Sequence, residues 1–152
     1  MSNHLQNFLA DAALKAAADL ETALGRVPAE KRNWSAMGDA RPPLDLVAEC
    51  ALLNGSTANL IETHQFTTDF EQYGRDKAAL AQDEAAALAL LRENSARVAE
   101  TIRAVPSEDL AIQVEMPWGP MTLEQIISYP FWNMSYHEGQ INYVASLLGC
   151  LK

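Results

Sequence analysis

Apolar residues recur every three to four positions over most of the chain, the period of an amphipathic α-helix. The first stripe joins Leu5, Phe8, Leu9, Ala12, Ala13, Ala16, Leu20, Ala23 and Leu24 and predicts a helix over 3–24, with Ser2 placed to cap it and Gly25 to stop it. A connection follows from Arg26 to Pro43, broken by Pro28, Gly38 and Pro42, with room for one helical turn at 28–33. A second helix is expected from Pro43 to about His64, since proline suits a first helical position, where its missing N–H would have no partner. Leu44, Val47, Ala48, Ala51 and Ala58 form one of its faces, and Leu46, Cys50, Leu53 and Leu60 another. Asp45, Glu49, Ser56 and Thr63 leave only a narrow polar column between them. A helix so nearly apolar all round is enclosed by neighbours.

The stretch 65–76 is polar, with His64–Tyr73 reading as a solvated loop, and is followed by a third helix over 76–104 with Leu80, Ala87, Leu91, Val98 and Ile102 on its buried stripe. Val105-Pro106 ends it. Between 107 and 121 the pattern first alternates and then meets Pro117, Gly119 and Pro120, which predicts a short hairpin-like insert. Thr122 and Gln125 have the spacing of a capping box opening the last helix. Pro130 should kink that helix, or end it and start another. Beyond it Met134, His137, Ile141, Val144 and Leu148 share a stripe, and Gly149 stands where the helix would stop. The expectation is a single all-α domain over 1–152: a bundle of about four helices with a long first crossover and a hairpin-like insert before the last helix.

A length of 152 residues suits one domain that can bury a core without disulfides or a structural metal. Twenty acidic against 11 basic residues give a net charge of -9, which repels nucleic-acid phosphates, and there is no basic cluster to hold anionic lipid. No nucleic-acid and no membrane partner is therefore expected. No apolar run approaches the roughly 20 residues that span a bilayer, and the first residues lack the pattern of a secretory signal, so the expected location is cytoplasmic. Cys50 and Cys150 lie almost a chain length apart and form neither a disulfide framework nor a CxxC motif.

The most informative stretch is FWNMSYHEGQINYVASLLG, with His137-Glu138-Gly139-Gln140-Ile141 at its centre. It resembles the C-terminal signature of the DinB-like superfamily, in which His-x-x-x-His is followed by one residue, Gly and Gln. The length, the helix order, the first connection with Trp34, Pro42 and Pro43, and the insert around 112–121 match that family's layout. The resemblance implies a DinB-like four-helix bundle. It also implies a divalent ion held by two histidines of the last helix and one of the second, with an open position for water or substrate. Its activities are those of metal-dependent transferases, hydrolases and isomerases, some acting on low-molecular-weight thiols, and dimers are common in it. The positions matched here are Glu49, Asn133 and His137, so two of the three histidines are replaced; a shift of one residue would put the second-helix position on Cys50.

Read by themselves, these residues allow two roles each. His137 is a metal ligand or a hydrogen-bonded core histidine. Glu49 lines a pocket or faces water and, if buried, should meet His137 or Asn133. Asn133 is a ligand, a substrate-positioning amide or an interhelical hydrogen bond, and Gln140 supports His137. Gly139, costly inside a helix, suggests close helix packing. Cys50 sits among apolar residues that quiet a thiol, and Trp118, Trp132 and Tyr136 wall a pocket or simply pack. Two functions stay open. In one, Glu49, Asn133 and His137 weakly hold Zn, Ni, Mn or Fe and act on a small molecule or thiol adduct. In the other the bundle is non-catalytic, and the same residues form a hydrogen-bonded core or a metal-free ligand pocket. A homodimer is expected, on the ground that the second helix is apolar on more than one face.

Overall fold

The computed structural model describes residues 3–152, so the cap assigned to Ser2 lies outside it. Five helices succeed one another: α1 (His4–Arg26), α2 (Pro43–Thr63), α3 (Phe70–Leu80), α4 (Glu84–Arg103) and α5 (Leu123–Leu147). A 3-10 turn at Ala29–Lys31 occupies the first connection. Before α5, strands β1 (Gln113–Val114) and β2 (Met121–Thr122) pair antiparallel, Gln113 opposite Thr122 and Val114 opposite Met121.

Most expected boundaries hold, and the exceptions have local causes. α1 passes through Gly25 and ends only at Val27, because Val27 is buried and Arg26 Nη1 donates to Asn142 Oδ1 at 2.8 Å, anchoring the last turn on α5. The single helix expected over 76–104 is two helices. α3 begins at Phe70, inside the stretch read as loop, where Asp69 Oδ1 accepts from the N–H groups of Glu71 and Gln72. The chain then turns at 81–83, and Asp83 accepts from Ala86 N–H at 3.0 Å to open α4. α5 runs without a break past Pro130, which is buried; proline removes one hydrogen bond, and packing on both sides of it holds the helix together. Its start is the expected capping box, Thr122 N–H donating to Gln125 Oε1 at 2.9 Å and Gln125 N–H to Thr122 Oγ1 at 3.3 Å.

The four long helices form the bundle, α1 against α4 and α5, α2 against α4 and α5, with short α3 laid on the outside of α2. One core cluster, around Leu20, Leu46, Leu91, Met134 and Ile141, fills one end. A second, around Ile61, Val98, Ile102, Ile126 and Ile127, fills the other. The apolar faces of α2 are thus covered within the chain, which removes the ground given for a dimer through that helix. The large exposed apolar side chains are elsewhere: Trp132, Tyr136, Tyr143 and Leu147 follow one face of α5. Gly139 lies on that face, and a Cβ there would meet nothing within 4 Å, so the close packing expected of it is absent. The close approach belongs to Gly55 of α2, whose Cβ would stand 2.7 Å from Asn94 Nδ2. Among the described residues no helix is long and apolar enough to cross a membrane.

Candidate functional site

Arg41, Asp45 and Glu49 follow one another at intervals of four, which places them on one side of α2 and its approach. Arg41 Nε donates to Asp45 Oδ2 at 2.6 Å, and Lys77 of α3 reaches the other Asp45 oxygen at 3.4 Å. Arg41 Nη2 is shielded from solvent and meets Glu49 Oε2 as a charge contact rather than an aligned hydrogen bond. Glu49 Oε1 lies 3.4 Å from Nε2 of His137, a side chain only 7% exposed. His137 Nδ1 is 2.6 Å from Gln140 Oε1, the support expected of Gln140. Each ring nitrogen therefore faces an oxygen, and both can donate at once only when each carries a proton.

Burial by itself would raise the Glu49 carboxyl, but its contacts with His137 and Arg41 outweigh that and bring its pKa to about 2. The carboxylate is thus ionised at any ordinary pH. Cys50, next in sequence, points into the core, and Asn133 turns its amide nitrogen towards Cys50 Sγ at 3.7 Å. Burial, and then the neighbouring Glu49 charge, pushes the thiol upward, so it is a poor nucleophile. The structure brings Glu49 and His137 together as expected of a buried Glu49, while Asn133 engages Cys50.

One helical turn beyond Glu49, Leu53 lines a cavity of about 320 Å³ between α2, α3, α5 and the loop of the hairpin. Tyr73 and Tyr129 line it too, and both feel the Glu49 charge. Burial first, and that charge second, raises both phenols, Tyr129 to about 12, so they stay protonated. Trp118 also borders the cavity, whereas Trp132 and Tyr136 stack on each other at 5.5 Å outside it. Sequence reasoning missed Arg41, Tyr73 and Tyr129. The interval of four linking Arg41, Asp45 and Glu49 is a signal for the first; nothing in the sequence marks the tyrosines.

No family model matches the chain, and no curated protein matches it either. Among solved structures it is similar to YfiT from Bacillus subtilis, described as a probable metal-dependent hydrolase with an unusual four-helix bundle topology. The TM-score is 0.82 over 98% of this chain and 90% of that one, at 15% sequence identity. The two share a four-helix-bundle fold.

In this four-helix frame the three positions assigned to metal can be tested against their surroundings. Glu49 Oε2 is already in contact with a guanidinium, whose charge repels a second cation. Asn133 offers a neutral amide, a weak donor, and it is turned to a thiol. Among the described residues no three His, Cys, Asp or Glu side chains gather as a ligand set. Glu49, Asn133 and His137 fit a divalent ion poorly.

Proposed function

We propose that the chain is a non-catalytic, metal-independent DinB-like bundle that binds a small molecule in the cavity beside Tyr73 and Tyr129. Arg41, Glu49 and His137 form its supporting polar network. The observation that carries this reading is the contact of Arg41 with Glu49. A buried carboxylate needs a compensating positive charge, and here a side chain supplies what an ion would supply in a metal centre. The cavity supplies the other half: it is concave, mostly apolar and bordered by a few polar groups, as ligand sites are.

The rival reading keeps a weak divalent site acting on a small molecule or thiol adduct, and one observation favours it. Gln140 holds His137 Nδ1 and leaves Nε2 directed at Glu49, the orientation that an outer partner gives a ligating histidine. Metal content by mass spectrometry separates the two, on protein purified without an affinity tag and incubated with Zn, Ni and Mn. The expected result is no stoichiometric metal in the native chain and increased zinc uptake in Arg41→Met. Stoichiometric metal in the native protein, lost in His137→Ala, overturns the proposal.

A further inference from the structure

We propose that the cavity takes an apolar organic monocation, of the aryl- or alkylammonium class. This deepens the binding role proposed above and rests on it.

The walls of the cavity supply the apolar part of the recognition. Leu53, Leu60 and Ile126 line it together with the rings of Phe66, Tyr73, Trp118 and Tyr129. Phe66 meets Trp118 edge-on at 5.6 Å and Phe70 at 5.8 Å, while Tyr73 and Tyr129 border the side nearest Glu49. Trp118 stays 64% exposed although it is among the largest side chains of the chain. Trp118 lines the cavity outside the buried core, its ring against Phe66 and its Nε1 donating to Met121 Sδ at 3.3 Å. Aromatic faces attract cations, tryptophan most strongly.

The charged groups decide the sign. Asp69 and Asp76 line the cavity, and no Lys, Arg or His does. Among the described residues neither carboxylate takes part in an ion pair. Asp69 uses Oδ1 to cap α3, and Asp76 Oδ1 accepts from Gln72 Nε2 at 2.7 Å. Those contacts position both groups without a cationic partner, Asp69 being stabilised in part by the N-terminus of α3, whereas nearby Asp45 and Glu49 are matched by Lys77 and Arg41. An anionic ligand would meet two carboxylates in a chain of net charge -9. A cation meets aromatic faces and unpaired carboxylates together.

The test uses three aryl probes that differ in charge: the cation benzyltrimethylammonium, its neutral isostere neopentylbenzene, and the anion benzenesulfonate. Binding is followed by tryptophan fluorescence and calorimetry. The ammonium should bind about tenfold more tightly than the isostere, and the sulfonate should not bind. Trp118→Ala should reduce the preference. The double variant Asp69→Asn, Asp76→Asn keeps the cap of α3, because asparagine caps as well as aspartate, and should weaken ammonium binding several-fold while leaving the isostere unchanged. Equal binding of isostere and cation, binding of the sulfonate, a double variant that binds like the native chain, or no binding of the cation would each overturn the inference. Metal analysis of the same sample keeps the two proposals apart: bound metal speaks against the metal-independent reading, and a failed titration on metal-free protein speaks against the ligand class.

Discussion

Glu49 Oε1 lies 3.4 Å from His137 Nε2, across the contact between α2 and α5, while Arg41 holds the other carboxylate oxygen. The fold therefore favours the ionised carboxylate, and stability must depend on acid. With the pKa lowered from 4.5 to about 2, the added stability is complete above pH 4.5 and drains away as the pH falls towards 2. Its size is at most about 3 kcal/mol. Urea unfolding of the native chain and Glu49→Gln should show a wide gap at pH 7 that closes towards pH 2. A gap independent of pH would remove Glu49 as the ionised partner.

Arg41 answers to Glu49 and Asp45 together. Arg41→Met leaves a largely buried carboxylate without its cation and should cost about 2 kcal/mol, below the full value for a deeply buried pair because Arg41 is partly exposed. Arg41→Lys keeps the charge but lacks the fork that reaches both acids, and should lose about 1 kcal/mol. Chemical denaturation at pH 7 ranks the three chains.

Two glycines inside helices should respond in opposite directions. At Gly139 a methyl group meets nothing within 4 Å, so Gly139→Ala should gain about 0.5–1 kcal/mol from helix propensity. At Gly55 the same methyl group would push Asn94 away from its 2.8 Å bond to Ala51 O, and Gly55→Ala should lose about 1 kcal/mol despite the propensity gain. Thermal unfolding of both variants checks the sign.

The cysteines should separate chemically. Cys50 is fully buried with its thiol pushed up, whereas Cys150 is partly exposed near the end of the chain. Iodoacetamide should label Cys150 alone in the folded protein and both in urea, which peptide mass mapping reads directly.

What the sequence reveals and what it hides follow from the range of the forces involved. The stripes of α1, α2 and α5, the capping box and the hairpin insert come from periodicity and from Pro, Gly and Thr chemistry, which act within a few residues. The break at 81–83 is hidden because strong helix formers flank it and only Asp83 marks the new start. At Pro130 the local rule allows a kink or a break, and only the break is ruled out, by burial that holds the helix together. At the polar site, Glu49 stands out in a narrow column and His137 in the HEGQ stretch. Arg41 escapes because it lies in a connection whose path depends on the whole bundle. Tyr73 and Tyr129 join one cavity only through the packing of α3 and α5 beside α2.

α1 lies against α5, tied by the bond from Arg26 to Asn142 over a separation of 116 residues. Synthesis makes α1 well before α4 and α5, so a growing chain carries the buried stripe of its first helix uncovered until those two helices follow. In that interval the nascent segment is a natural client for chaperones that bind exposed apolar helix.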